Sequence, residues 1–209
     1  MTIRIVIAGA GGFGRGVRGW IESSPIHMRQ NAISEVVFID DGSAMANSAV
    51  ISSIGEYQPQ DNDRVLCAIA NSDIRRKVVS EFRQKGARFH TFVDDRATLG
   101  ARVKIGEGTI VCPGSVVSAD ASLGEQVHVN FNCSIGHDVQ LGDYSTLSPT
   151  VTIGGEVDVS ESVFFGAAAN VLPRVSIGEG VVIGASAVVL RSVEANSVMV
   201  GNPARRLDQ

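Results

Sequence analysis

Residues 135–158 read IGHDVQ-LGDYST-LSPTVT-IGGEVD, four successive groups of six that share one pattern. Each group begins with a bulky aliphatic residue, often continues with Gly, and has a small or branched residue at its fifth position. The pattern runs in one phase through seventeen groups, residues 99–200. The first positions are Leu99, Ile105, Val111, Val117, Leu123, Val129, Ile135, Leu141, Leu147, Ile153, Val159, Phe165, Val171, Ile177, Ile183, Val189 and Ala195.

A period of six is neither the 3.6-residue period of a helix nor the alternation of a single strand. It is typical of the hexapeptide β-helix repeat, in which each hexad forms one flat side of a triangular prism. Three hexads complete a coil of 18 residues, and coils stack about 4.8 Å apart. The sequence therefore predicts a left-handed parallel β-helix over residues 93–209, with a short C-terminal tail. An ordinary β-sandwich would need variable strand lengths and turn clusters.

The third position of each hexad lies near a corner, so residues 18 apart should stack along one of three edges. The first edge carries Glu107, Glu125, Asp143, Glu161 and Glu179; the second carries Ala101, Ala119, His137, Gly155, Pro173 and Arg191; the third carries Pro113, Phe131, Pro149, Ala167, Ala185 and Pro203. Stacked like charges need water, so we expect the acidic edge to face solvent. The other two edges favour a closed homotrimer with its active sites between neighbours.

Residues 1–92 have the pattern of a small Rossmann-like α/β domain. Strands are predicted at residues 3–8, 35–39 and 65–70, and helices at residues 15–23 and 72–85. This order gives a parallel sheet with helices around it.

A glycine-rich turn, Gly9-Ala10-Gly11-Gly12-Phe13-Gly14, joins the first strand to the first helix. A G-x-G-x-x-G turn in this context lets backbone N–H groups approach a phosphate. Asp40 and Asp41 end the second strand, where a carboxylate can accept a hydrogen bond from a ribose or a base. The alternative is a structural turn that binds no ligand. A dehydrogenase is disfavoured, because no second mononucleotide-binding half precedes the repeat.

Composition excludes several classes of function. The chain has 209 residues, 44% hydrophobic and 19% charged, with a formal net charge of −4, so attraction to nucleic acid is not expected. Its three cysteines form no C-x-x-C pair, and we expect neither a disulfide framework nor a metal site. No apolar run approaches the ~20 residues of a membrane span, and the N-terminus lacks a signal-peptide pattern. The expected location is the cytoplasm.

The chain resembles the NeuD/PglD-like family of sialic acid O-acetyltransferases and nucleotide-amino-sugar N-acetyltransferases, over nearly its whole length. In the first half, the resemblance rests on residues 9–15, on Phe38-Ile39-Asp40-Asp41 and on Ala68-Ile69-Ala70-Asn71 with Arg75 beyond. In the repeat, it rests on Asn130, His137-Asp138, Gly155-Glu156-Val157, residues 183–189 and Gly201-Asn202-Pro203-Ala204.

The resemblance implies acetyl transfer from acetyl-CoA to a nucleotide-linked amino sugar, with a role for each matching residue. His137 would be the general base, Asp138 would raise its basicity, and Asn130 would contact the sugar. The Gly155 amide would hold the thioester carbonyl, Ala167 and Ala185 would line the pantetheine path, and Thr146 would lie beside the cofactor. The nucleotide would bind Gly11, Gly12, Phe13, Asp40, Asp41 and Asn71.

Three positions depart from the family pattern. Phe13 and Thr146 stand where many or some members have His, and residues 91–95 replace a usual His-Pro at the domain junction. These departures bear on the substrate more than on the reaction class, so O-acetylation of a sialic acid or surface sugar stays open. Two alternatives of other classes are a sugar-nucleotide-binding scaffold without catalysis and a metal-dependent hydratase. The hydratase needs three His ligands, and the repeat contains only His128 and His137.

Acyl transfer from a thioester requires a base, an oxyanion donor and proximity. Histidine titrates near neutral pH, and a neighbouring carboxylate keeps it basic. Gly155 follows His137 by 18 residues, so the period by itself predicts that its amide lies one coil, about 5 Å, above the base. No nucleophilic residue is required if the acceptor attacks acetyl-CoA directly.

Overall fold

The hexapeptide repeat forms the three faces of a prism in the computed structural model, which describes residues 2–42 and 50–207. By their internal contacts, residues 1–95 and residues 96–209 form two separate units. In the second unit each hexad from Thr98 to Val189 contributes a two-residue strand. Each strand pairs in parallel with the strand 18 residues away, as Ser134 does with Thr152. The predicted left-handed parallel β-helix is confirmed.

The strands of the second unit fall on three faces. One face contains Lys104–Ile105 (β7), Ser122–Leu123 (β10), Gln140–Leu141 (β13), Asp158–Val159 (β16) and Ser176–Ile177 (β19). The next contains Thr98–Leu99 (β6), Val116–Val117 (β9), Ser134–Ile135 (β12), Thr152–Ile153 (β15), Asn170–Val171 (β18) and Val188–Val189 (β21). The third contains Ile110–Val111 (β8), His128–Val129 (β11), Thr146–Leu147 (β14), Phe164–Phe165 (β17), Val182–Ile183 (β20), Val198–Val200 (β22) and Arg205–Arg206 (β23).

First-position side chains fill the centre of the prism. Val117, Val129 and Leu147 are fully buried there, whereas Leu99 on the terminal strand β6 is exposed. Polar residues at the fifth position are buried but hydrogen-bonded between coils. The Thr109 hydroxyl, for example, donates to the Gly124 carbonyl (2.8 Å) and accepts from the Val127 amide (3.0 Å). Burying a hydroxyl is tolerated because both of its hydrogen-bonding functions are satisfied.

The last coil departs from the predicted phase. Val193 pairs with Ile177 and Val198 pairs with Val182, so the spacing shortens from 18 to 16 residues. Val193 is buried, whereas Ala195, the predicted core residue of the seventeenth hexad, is exposed. The prediction for Ala195 is wrong because valine buries more apolar surface than alanine in the same place.

The acidic edge does not face solvent over its whole length. Glu107 and Glu179 are exposed, but Glu125, Asp143 and Glu161 are half-buried. The Asp143 carboxylate accepts a hydrogen bond from the backbone N–H of Glu125 at 2.7 Å. A backbone amide that donates to the carboxylate offsets part of the repulsion expected along this edge.

The first unit is a parallel sheet with helices around it. Its elements are Ile3–Ala8 (β1), Gly12–Glu22 (α1), Pro25–Gln30 (α2), Ile33–Ile39 (β2), Val50–Ser52 (β3), Asp63–Cys67 (β4), Ser72–Gln84 (α3) and Phe92–Val93 (β5). The sheet order is β3-β2-β1-β4. Helix α1 begins three residues earlier than predicted, so the glycine turn itself supplies the first helical turn.

Two histidines of the first unit form a buried pair. The Nε2 atoms of His27 and His90 lie 2.8 Å apart, and each residue is less than 10% exposed. One Nε2 donates and the other accepts, so the accepting ring must be neutral. Burial lowers the pKa of His27 against the opposing effect of Asp95 and Asp94, and burial, then His27, lowers the pKa of His90 to about 3.

Acidification is expected to destabilise the first unit through this histidine pair. Because the folded-state pKa values lie below the unfolded value, the stabilisation is complete above about pH 6.5 and is lost as the pH falls towards 3. The loss should reach about 1 kcal/mol per pH unit. Urea unfolding followed by the helical circular dichroism signal, at pH 7 and pH 4.5, would measure it. His90→Gln, which cannot titrate, should show a smaller pH dependence; an equal dependence in both proteins would contradict the assignment.

Candidate active site

His137 and Asp138 form a hydrogen-bonded pair at a corner of the prism. They follow strand β12, and Asp138 has a left-handed backbone (φ 59°) fixed by its N–H, which donates to the Ala119 carbonyl at 3.1 Å. His137 Nδ1 lies 2.7 Å from Asp138 Oδ2, and both side chains are more than half exposed. A neutral imidazole that donates from Nδ1 keeps the lone pair of Nε2 free to accept a proton.

Gly155 lies directly above His137. The Glu156 amide donates to the His137 carbonyl at 2.8 Å, which fixes the register of the two coils. A Cβ atom at Gly155 would come within 2.6 Å of His137 Nε2, so the ring occupies the space that any other residue would need. Within the described residues the Gly155 N–H has no hydrogen-bond acceptor. Glycine therefore leaves an open N–H donor beside the basic nitrogen.

The other predicted residues of the repeat lie away from this pair. Asn130 follows β11, and its Oδ1 accepts from the Phe131 amide at 2.9 Å. Ala167 and Ala185 are exposed on successive coils of the edge that contains Phe131, the residue after Asn130. Thr146 is buried on β14, beside His128 of β11. Because β11 and β12 belong to different faces, one chain does not bring Asn130 and His137 together.

A basic cleft lies at the C-terminal end of the β-helix. It has a volume of about 380 Å³, and three of its lining residues are Arg191, Arg205 and Arg206. Arg191 stands on the His137 edge, three coils above the histidine. At about 4.8 Å per coil the separation is roughly 14 Å. The position of Arg191 above His137 follows from the 18-residue period. Its proximity to Arg205 and Arg206 depends on the antiparallel pairing of β22 and β23.

The glycine turn of the first unit combines structural and open positions. Gly9 has φ 104°, and a Cβ at Gly14 would overlap the Gly9 carbonyl, so both require glycine. A Cβ at Gly11 or Gly12 would meet no atom within 4 Å, and neither residue has a positive φ. The fold does not explain glycine at these two positions. Phe13 follows them in the first turn of α1 and is half-buried.

Asp40 is close to the glycine turn but is occupied by the backbone. Its Oδ2 accepts from the Ala10 amide and its Oδ1 from the Gly42 amide, each at 2.6 Å. Asp41 Oδ1 accepts from the Ile54 amide at 2.8 Å. Asn71 Oδ1 caps α3 by accepting from the Ile74 amide at 2.9 Å. These side chains shape the loops at the carboxyl ends of the strands, a role that the sequence pattern did not separate from ligand binding.

Residues 2–42 and 50–207 show neither a metal-binding cluster nor a membrane-spanning helix. They contain no group of three His, Cys, Asp or Glu side chains arranged to hold a metal ion. None of their helices has the length and apolar character needed to cross a bilayer.

Comparison with known proteins gives matches over the whole chain. Residues 4–82 match the family model described as the PglD N-terminal domain. WeeI from Acinetobacter baumannii AYE superposes with a TM-score of 0.89 and 30% identity, over 99% of this chain and 100% of that one. The acetyltransferase domain of PglB from Neisseria gonorrhoeae FA1090 gives 0.90 and 25%, over 98% and 99%. No curated protein matches by sequence.

A third structure was solved with ligands. PerB from Caulobacter crescentus, in complex with CoA and GDP-perosamine, has a TM-score of 0.86 and 28% identity, over 98% of this chain and 97% of that one. The matches cover both units of the chain, and they confirm the family that the sequence motifs indicated. The chain belongs to the NeuD/PglD-like family of sugar acetyltransferases and is an acyltransferase.

Proposed function

We propose that the protein transfers an acetyl group from acetyl-CoA to the amino group of a nucleotide-linked sugar. The single observation that carries this proposal is the His137–Asp138 pair beneath the open amide of Gly155. It combines a base and an oxyanion donor within one coil spacing, which is what direct acyl transfer requires.

The residues support a direct mechanism. His137 Nε2 takes a proton from the neutral sugar amine as the amine nitrogen attacks the thioester carbonyl carbon. The Gly155 N–H donates to the carbonyl oxygen as that oxygen becomes negative. Asp138 stabilises the imidazolium that forms. The C–S bond then breaks, the thiolate of CoA leaves, and the proton on His137 neutralises it.

Two observations support these substrates. PerB was solved with CoA and GDP-perosamine, and the PglB acetyltransferase domain was also solved with acetyl coenzyme A. In this chain, the cleft of Arg191, Arg205 and Arg206 offers guanidinium groups that suit the phosphates of CoA. Acetyl-CoA and nucleotide sugars are both cytoplasmic metabolites, which is the reason to propose a cytoplasmic site of action.

The proposal includes a homotrimer. Within one prism, His137 and Asn130 lie at different edges. A neighbouring copy is therefore needed to bring an Asn130 close to each His137. Exposed apolar side chains lie on both edges, at Leu172, Leu190 and Phe131, and such surfaces favour subunit contacts. Light scattering should give three times the 22.0-kDa mass of one chain.

The open glycines of the first unit provide a test of nucleotide binding. Gly12→Ala is expected to raise KM for the nucleotide sugar about tenfold or more, with kcat little changed, because the new methyl group occupies only ligand space. Alanine is also the better helix former, so Tm should not fall. Gly14→Ala is the matched contrast, since it overlaps the Gly9 carbonyl and should lower Tm. Steady-state kinetics measure KM, and thermal melts measure Tm, for both variants. An unchanged KM in Gly12→Ala would contradict the proposal that the nucleotide binds at this turn.

The reaction itself is tested with purified protein, acetyl-CoA and a panel of GDP-, UDP- and dTDP-linked amino sugars, by following thiol release. Release with an amino sugar supports N-acetylation. Release only with hydroxyl acceptors such as sialic acid would assign O-acetylation instead. Saturable acetyl-CoA binding without release with any acceptor would favour the scaffold alternative.

A further inference from the structure

A column of five charged residues runs along the corner next to His137. Its members follow one another at 18-residue intervals, all have a left-handed backbone with φ between 57° and 63°, and they are Arg102, Asp120, Asp138, Glu156 and Arg174. Backbone hydrogen bonds of 2.8–3.1 Å join each coil to the next. Neighbouring members therefore lie about one coil spacing, roughly 4.8 Å, apart.

The charges in this column are ordered symmetrically about Asp138. Arg102 forms two hydrogen bonds of 2.6 Å with the Asp120 carboxylate. Arg174 contacts the Glu156 carboxylate at 3.1–3.3 Å. The order is thus plus, minus, minus, minus, plus, and the central carboxylate is the one bonded to His137.

These ion pairs contribute little to folding, because all four side chains are well exposed and surface pairs are weak. Their placement matters more for the charges at the candidate active site. Glu156 follows Gly155, and an unpaired carboxylate there would oppose the negative charge that develops at the Gly155 amide. Asp120 and Glu156 each lie one coil, roughly 4.8 Å, from Asp138 in the column, and Asp138 is the carboxylate bonded to the His137 ring.

We propose that Arg102 and Arg174 are positioning residues, which neutralise Asp120 and Glu156 and hold them away from His137, leaving Asp138 as the carboxylate that acts on the imidazole. This inference rests on the proposed function, in which His137 is the base. Arg174 has the larger effect of the two, since its partner adjoins the oxyanion donor.

The first test needs no substrate. NMR titration of the His137 ring, assigned by its loss in His137→Ala, gives the pKa in wild type and in Arg174→Gln. The freed Glu156 carboxylate should stabilise the imidazolium and raise the pKa of His137 by about 0.5 at low ionic strength, with a smaller rise in high salt. Arg174→Gln/Glu156→Gln should return it to the wild-type value. Lys104→Gln removes a positive charge from another face and should leave it unchanged; an unaltered pKa in Arg174→Gln would overturn the proposal.

The second test is kinetic. Arg174→Gln should lower kcat about threefold to tenfold at neutral pH and move the acid limb of the pH profile upward, with KM for acetyl-CoA unchanged. Adding Glu156→Gln, or using Arg174→Lys, should restore activity. A loss that Glu156→Gln does not restore would mean that Arg174 contacts a substrate directly, and would refute the positioning role. If the wild-type protein acetylates no amino sugar but the NMR shifts occur, the proposed function is wrong, whereas the effect of Arg174 on the His137 ring is confirmed.

Discussion

Replacing His137 by alanine is expected to lower kcat about 10²- to 10⁴-fold, the usual contribution of a positioned general base. Without the imidazole, the attacking amine must lose its proton to solvent. The ring is 58% exposed, so Tm should stay at the wild-type value. Binding of acetyl-CoA should also persist, because the proposed phosphate cleft lies three coils away. Thiol release, calorimetric titration with acetyl-CoA and thermal melts measure the three quantities.

Asp138→Asn tests the proposed orienting role of Asp138 while the proposed base, His137, is retained. Asparagine adopts the left-handed backbone of this position readily, so the variant should fold normally and lose less activity than His137→Ala. If His137→Ala keeps more than a tenth of the wild-type kcat, the proton goes elsewhere and the role assigned to His137 is wrong.

Gly155→Ala is expected to lower kcat about 10²- to 10³-fold, comparable to the loss of one oxyanion donor. Its Cβ would come within 2.6 Å of His137 Nε2. The ring must then turn away from its hydrogen bond with Asp138, and the methyl group blocks approach to the Gly155 N–H. One substitution therefore disturbs both the proposed base and the proposed oxyanion donor. Steady-state kinetics with acetyl-CoA and the best amino sugar would measure the effect.

Two variants control for this result. Gly55→Ala adds a Cβ where no atom lies within 4 Å and should leave kcat and Tm unchanged. In His137→Ala/Gly155→Ala the overlapping ring is gone, so the double variant should be scarcely less active than the poorer single variant, because residues that act together are not additive. Wild-type activity in Gly155→Ala would show that neither the ring nor the amide takes part.

Much of the second unit could be predicted because a β-helix is built from local repetition. An 18-residue period places Gly155 above His137 whatever the rest of the chain does, and the structure has them in that register. The prediction failed at Ala195, where packing of the core selected Val193 and shortened the last coil. A repeat pattern predicts which residues stack only where successive coils have the same number of residues, and the last coil is shorter.

Roles in the first unit could not be read from residue types. Asp40 and Asn71 carry side chains suited to ligand binding, but their oxygens accept hydrogen bonds from backbone amides, those of Ala10 and Gly42 for Asp40 and that of Ile74 for Asn71. The sequence also did not distinguish Gly14, which packs against Gly9, from Gly12, which meets open space. Such differences depend on distances between segments that are far apart in the chain.

The sequence by itself determined the β-helix, the α/β first unit and the register of Gly155 above His137, because each depends on periodicity or on adjacent residues, and its motifs indicated the family. The tertiary structure decided which glycines are open, which carboxylates Arg102 and Arg174 bind, and that His27 and His90 share a buried hydrogen bond. These depend on side-chain packing and on the competition of neighbouring groups for the same hydrogen bonds, which no one-dimensional pattern records.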